Sequence, residues 1–405
     1  FPGVIAGDTE CLDKIRAAGR LPIDGHAPGL SGKDLCAYAV TGVASDHECT
    51  TADEAREKLR QGFHIMIREG SVARNLDALL PVVRPDNVDR FMFVTDDKDV
   101  EDLHHEGHID CMVRRAIAAG INPIHAIKMA SYNAARYFGL DGFGAIAPGK
   151  VASIAVLKDL KDCRVTRVYH LGKLVALDGM AIDRDVGRRK GHILRSSMNV
   201  QWIECKNFEI KVSGRDAYDV HVIKVLEDRV DTERSIERID AADGLLCADP
   251  KRDLAKITVL ERHQSSGNIG LGFVRGFGLS SGAIASSVSH DAHNLVVAGT
   301  NDRDMYTAAV HLVKIRGGFC VVDDGKVLAD VPLPIAGLMS NVDADTLKKQ
   351  LGKLHEAAAT LNVKLRRPFM ALSFLCLSVI GKLKVTDQGL VDVDRFKLIG
   401  LVAVP

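Results

Sequence analysis

The sequence predicts an α/β protein in three parts: a run of parallel β/α units amounting to the second half of a TIM-like (β/α)8 barrel, a small β-module, and a C-terminal α+β domain. Three observations predict it. Four apolar segments near the start of the chain, 21–27, 42–49, 64–70 and 90–97, each end in polar residues and lead into a loop and a helical stretch. They recur every twenty-odd residues, the rhythm of a parallel sheet. From Gly144 to Asp178 short strands and glycine turns replace that rhythm, and beyond Asn199 strands alternate with two helices.

Each element has a local reason. The stretches 31–40 and 51–61 have helical apolar spacing, and the second opens on an acidic first turn that complements a helix N-terminus. Helical spacing also covers 106–119 and 122–138, the latter beginning with Asn122-Pro123 as cap and first residue. A complete barrel takes roughly 250 residues, so four units make about half of one. The expected boundaries are 1–140 for the half barrel, 141–182 for the β-module and 183–405 for the α+β domain. Within the last, 183–195 is basic and irregular and reads as a linker with solvated charges.

Composition narrows the function. Fifty-three Lys and Arg balance 53 Asp and Glu, so no global positive field draws in nucleic acid or an anionic membrane. With 46% hydrophobic and 26% charged residues, the 405-residue chain is an ordinary globular one. Nine cysteines never fall into C-x-x-C spacing, which excludes a disulfide framework and the zinc deaminases built on that pair, and fits a reducing cytoplasm. The longest apolar run, 369–380, is too short to span a bilayer.

His26, His47 and Asp96 each stand at the C-terminal end of a predicted strand, where βα-loops converge in barrel enzymes. Two imidazoles and a carboxylate suit a divalent Zn, Mn or Fe ion, which lowers the pKa of bound water toward neutrality. The alternative is that each residue merely caps its strand.

The segments Asp24-Gly25-His26-Ala27-Pro28-Gly29-Leu30-Ser31-Gly32, Ser45-Asp46-His47-Glu48-Cys49-Thr50, Ile67-Arg68-Glu69-Gly70-Ser71 and Val94-Thr95-Asp96-Asp97 resemble the bacterial adenine deaminases of the amidohydrolase superfamily. The likeness continues through the glycine turn at 144–150, the SSVSHDAHN segment at 286–294 and Gly299-Thr300-Asn301-Asp302. It implies an amidohydrolase barrel whose fifth and sixth strands supply His26 and His47 as metal ligands, with Asp96 of the eighth strand as ligand and proton-transferring group. It also implies two divalent ions, Mn or Fe, with Zn admitted by the same donors, and the conversion of adenine and water to hypoxanthine and ammonia.

Around this core the resemblance leaves roles open. Asp97 rivals Asp96 for the proton transfer. Glu48 either protonates the ring or pairs with a nearby Arg or Lys. Arg68, Glu69 and Ser71 either contact purine edges or form a surface Arg–Glu pair. His104, His105 and His108 read as an exposed helix start, with His108 and Asp110 able to shape the site from behind. His290 and His293 are expected to line a substrate-binding surface folded over the barrel mouth, or else a structural network joining domains.

The pattern is incomplete in one respect. No H-x-H pair occurs, and no fourth-strand bridging carboxylate precedes Phe1, so an upstream polypeptide is expected to supply strands one to four. The other expected partners are adenine and further copies of the chain in a homo-oligomer, with no nucleic acid and no membrane. Two further functions remain open: an amidohydrolase that opens cyclic amides, and an inactive scaffold of the same fold.

Overall fold

The structure, a computed structural model, describes residues 1–182, 197–227 and 229–403. The chain divides into two compact units, Phe1–Lys190 and Gly191–Pro405. The stretch 183–195, read from sequence as a linker, lies outside the described residues.

In the first unit all four predicted strands form, shorter than their apolar segments: β1 (Asp24–Gly25), β2 (Ser45–Asp46), β3 (His64–Arg68) and β4 (Phe91–Val94). They make one four-stranded sheet in sequence order with every neighbouring pair parallel. Ile65, Ile67, Phe91 and Phe93 are buried in a core that also takes Leu35, Ala55, Leu76 and Met112 from the surrounding helices. Near-continuous apolar strands are what a parallel sheet requires.

The helices of this unit are α1 (Pro2–Ile5), α2 (Thr9–Ala18), α3 (Gly32–Ala39), α4 (Ala52–Arg60), α5 (Leu76–Leu79), α6 (Val100–His105), α7 (Ile109–Ala118), α8 (Pro123–Ala130) and α9 (Tyr132–Tyr137). Thr51 caps α4 by accepting from the Glu54 amide, with Asp53 and Glu54 in the first turn and Lys58 and Arg60 in the last.

Two expected helices are broken. The stretch 106–119 is interrupted at Gly107, whose φ of +100° is open to glycine and strained for other residues, so α7 starts only at Ile109. The stretch 122–138 splits into α8 and α9 at Ser131, at φ −141° and ψ −71°. Beyond that break the buried Asn133 amide donates to the carbonyls of Val88 and Phe91 at 2.9 and 2.8 Å, anchoring the start of β4. Apolar periodicity runs unchanged across the second break, so spacing alone does not reveal it.

A four-stranded antiparallel meander follows, β5 (Ile154–Leu157), β6 (Val165–His170), β7 (Lys173–Leu177) and β8 (Met180–Ala181).

The second unit is α+β. Its strands are β9 (Ile210–Lys211), β10 (Ala217–Val225), β11 (Thr232–Ala242), β12 (Leu245–Leu246), β13 (Ala255–Leu260), β14 (Ile269–Arg275), β15 (Ala283–Ser286), β16 (Leu295–Gly299), β17 (Gly318–Asp323) and β18 (Lys326–Pro332). They form one sheet in the order β18-β17-β15-β16-β13-β14-β10-β11-β12-β9. A small sheet of β19 (Leu383–Thr386), β20 (Gly389–Asp392) and β21 (Lys397–Ile399) accompanies it. The two expected helices appear as α10 (Asp302–Lys314) and α11 (Ala344–Thr360). The apolar run at 369–380 yields a further short helix, α12 (Pro368–Phe374). No helix among the described residues is long and apolar enough to cross a membrane, and the nine cysteines are free thiols.

Candidate active site

The site lies where β1 to β4 end. Gly25 precedes His26 for a steric reason: a Cβ there would fall 2.5 Å from the Ser45 carbonyl of the adjacent strand, so a larger residue would push β1 away from β2. With the strands this close, the rings of His26 and His47 stand 5.6 Å apart. Glu48, buried, lies between them, its Oε1 at 3.2 Å from His26 Nδ1 and 3.4 Å from His47 Nε2.

Arg68 ends β3 and ties this cluster to the fourth strand. Its guanidinium meets both oxygens of Glu48, at 2.5 and 2.9 Å, and Nη1 also donates to Asp96 Oδ2 at 3.0 Å. This is the fork geometry that suits a carboxylate. Burial alone would lower the Arg68 pKa, but Glu48 and Asp96 raise it on balance. Asp96 itself follows β4 in the left-handed region, φ +55°, a conformation that Asp tolerates better than most residues.

Behind His47 stands Asp24. Its Oδ2 is 2.8 Å from His47 Nδ1, and its Oδ1 accepts from the Ser45 hydroxyl at 2.6 Å. Tyr137, at the end of α9, donates to the Ser45 Oγ at 2.7 Å. Burial tends to raise the Asp24 pKa, but the bonds from His47 and Ser45 prevail and hold it below the usual carboxylate value. Conversely, burial would lower the His47 pKa, and the hydrogen bond and charge of Asp24 raise it on balance.

A buried ion pair ties the two histidine loops together. Lys58 Nζ, wholly excluded from solvent, donates to Asp46 at 2.9 Å, to Glu54 at 2.8 Å and to the Ala27 carbonyl at 2.7 Å. Asp46 also accepts from the amides of Ala27 and Glu48. Glu54 and Glu57 of α4 receive the Gly29 and Gly32 amides of the first loop.

The donors present fit a divalent transition metal. His26, His47 and Glu48 each offer an atom within 4.8 Å of the others, and His26 Nε2 is buried without a hydrogen-bond partner. Imidazole nitrogen and carboxylate oxygen are the donors such ions take. A second group at similar separations, Asp46, Cys49 and Glu54, is instead occupied by the Lys58 ammonium.

Among the residues expected from sequence, His26, His47, Glu48, Arg68 and Asp96 thus come together. Asp96 touches Arg68 and stands outside the His26–His47–Glu48 donor group. Glu48 is paired with an arginine, the second of its two sequence readings, and the expected Arg68–Glu69 surface pair does not form, because Arg68 turns to Glu48 and Asp96.

Glu69 and Ser71 are engaged elsewhere. Glu69 pairs with Arg115 and accepts the Leu76 amide, and Ser71 donates to Asp102 at 2.5 Å and accepts the Asp99 amide. Asp97 contributes its carbonyl to the Ser71 amide. His104 and His105 are exposed, and His108 Nε2 lies 3.3 Å from the Thr95 hydroxyl.

His290 and His293 sit in the loop between β15 and β16, tied to their own unit. The His290 ring stacks on Phe374 at 4.6 Å, and the buried Arg262 donates to the His293 carbonyl. Asn294 of the same loop bonds Asp387.

Sequence reasoning missed Asp24, Ser45, Tyr137 and Lys58. A signal for the first two lies in strand register, which sets Asp24 beside Ser45, but Tyr137 is 92 residues from its partner and carries none.

Residues 9–175 match the amidohydrolase family and residues 229–397 the adenine deaminase C-terminal domain. Over 98% of its length the chain is 48% identical to an adenine deaminase of Dehalococcoides mccartyi, covering 69% of that protein. The chain belongs to the adenine deaminase family. Relatives from Desulfatibacillum aliphaticivorans, 47% identical over 99% of this chain and 70% of theirs, and Brucella melitensis, 42% identical over 99% and 68%, bear the same name. The two matched regions fall one in each compact unit, the amidohydrolase match in the first and the adenine deaminase C-terminal match in the second.

Proposed function

We propose that this chain deaminates adenine hydrolytically, giving hypoxanthine and ammonia. The observation that carries the reading is the convergence of His26, His47, Glu48, Arg68 and Asp96 at the C-terminal ends of four parallel strands. The four strands act as the fifth to eighth of an amidohydrolase barrel. His26 and His47 hold a divalent metal centre, a pair of Mn or Fe ions with Zn as the third candidate. Bound there, such a centre supplies an acidified water near neutral pH.

The remaining chemistry belongs to the chain's own residues. A water oxygen bonds to C6 of adenine, the C6–N bond to the exocyclic amine breaks, and the second water proton passes from the new C6 hydroxyl to the ring nitrogen as that hydroxyl becomes the product carbonyl. Asp96 accepts the proton of the attacking water and delivers it to the leaving amine. It takes this role ahead of Asp97 because Arg68 holds its carboxylate at the site. Arg68 fixes Glu48 and Asp96 in one geometry, so its part is positioning, and Glu48 Oε1 lies within 3.4 Å of both imidazoles. Nine free thiols suit a reducing cytoplasmic compartment.

The test is ammonia release from adenine by the metal-loaded protein, beside a panel of hydantoins and dihydropyrimidines. Turnover of adenine alone supports the assignment. Ring opening of cyclic amides without deamination of adenine would replace it, and absence of both metal and turnover would indicate an inactive scaffold.

A further inference from the structure

We propose that Tyr137, Ser45 and Asp24 form a one-way hydrogen-bond chain that positions His47 for metal binding, making Asp24 and Tyr137 positioning residues of this site. The inference rests on the reading of His47 as a metal ligand.

The direction of the chain follows from donor counting. A carboxylate only accepts, so Asp24 must receive the protons of Ser45 and of His47 Nδ1, at 2.6 and 2.8 Å. The single Ser45 proton is then committed to Asp24, which leaves the serine oxygen to accept, and Tyr137 donates to it at 2.7 Å. Each hydroxyl has one proton and each is used in the same sense. The result fixes the neutral His47 as the tautomer protonated on Nδ1, with the lone pair on Nε2. That nitrogen faces Glu48 Oε1 at 3.4 Å, on the side where His26 also presents a ring. A histidine ligand whose other nitrogen donates to a carboxylate is held in both ring orientation and tautomer.

Three elements contribute, so the chain also couples the site to the fold. Asp24 and Ser45 are register partners on β1 and β2, and Tyr137 closes α9, its ring 4.8 Å from that of His64 at the start of β3. The break at Ser131 separates α8 from α9 and lets the second helix take its own direction. Among the described residues Asp24 pairs with no Lys or Arg, and the Tyr137 hydroxyl bonds only Ser45.

The experiment measures manganese(II) binding to the full-length protein by the loss of the free-ion EPR signal, with kcat and KM for adenine and the melting temperature recorded for each variant. Asp24→Asn, which can present an N–H in place of an acceptor, should weaken manganese binding by about 10- to 100-fold, and Asp24→Glu should recover part of it. Tyr137→Phe, nearly isosteric and at the far end of the chain, should weaken binding by about fivefold through one lost hydrogen bond and lower kcat more than it changes KM. His47→Ala separates the two levels. If His47→Ala loses manganese while Asp24→Asn and Tyr137→Phe bind it as the parent protein does, the positioning chain is refuted and the ligand reading stands. If His47→Ala itself binds manganese normally, both fall.

Discussion

Lys58 Nζ lies 2.9 Å from Asp46 Oδ2 with both side chains wholly excluded from water, and the same ammonium reaches the Ala27 carbonyl. The pair therefore joins the residue after His26 to the residue before His47. Burial would lower the Lys58 pKa, but Asp46, Cys49 and Glu54 together raise it, as expected of a cation whose solvation shell has been replaced by fixed acceptors.

Removing one partner of a buried pair leaves the other charge uncompensated, at a cost of about 3–5 kcal/mol. Lys58→Met should destabilise the first unit by that order in urea unfolding. A loss under about 1 kcal/mol would mean that Asp46 finds water or another donor.

Arg68→Lys keeps the charge and loses the fork. One ammonium cannot meet both oxygens of Glu48 and reach Asp96, and charged hydrogen bonds of this kind are worth enough for about a 10- to 100-fold fall in kcat. Steady-state assays of ammonia release measure it. An unchanged kcat would show that neither carboxylate needs the guanidinium.

Asp96→Asn should reduce turnover of adenine by about 10²- to 10⁴-fold, the usual range for a proton-transferring group, whereas Asp97→Asn should leave it nearly intact. Equal rates for Asp96→Asn and the parent would remove Asp96 from the mechanism. Equal losses in both variants would mean that Arg68 does not select between them.

The parts of this site that sequence discloses are those set by chain position. His26, His47 and Asp96 are legible because a parallel β/α rhythm puts each at a strand end, and the four strands formed in order. What sequence left open was decided by register and by distant segments. Glu48 could have faced a substrate or an arginine, and the closeness of β2 to β3 brings Arg68 against it. Asp24 becomes a partner of His47 only once β1 and β2 align, and Lys58 reads as an ordinary helix-surface charge until α4 packs over the histidine loops. In the second unit, Arg262 is buried by carbonyls of Ser197, His293 and Ala336, three segments with no sequence relation.

Lys384, on β19, offers a test of the second unit by pH. It is fully buried, and its ammonium donates to the carbonyls of Val230 and Phe374 at 2.9 and 2.8 Å. Burial, only partly offset by Cys376 and Asp231, pulls its pKa down to about 7. A lysine pKa lowered on folding disfavours the charged form in the native state. Between pH 7 and the unfolded value near 10.4 the unfolded chain therefore binds one more proton, and stability rises with pH by about 1.4 kcal/mol per unit from this group. Below pH 7 both states are protonated and the penalty is constant. Urea unfolding at pH 7.5 and 9.5 should show the parent protein gaining about 2–3 kcal/mol relative to Lys384→Met over that interval. Parallel pH dependence in the two proteins would mean that Lys384 stays charged in the fold, its two carbonyl acceptors being enough to hold the ammonium.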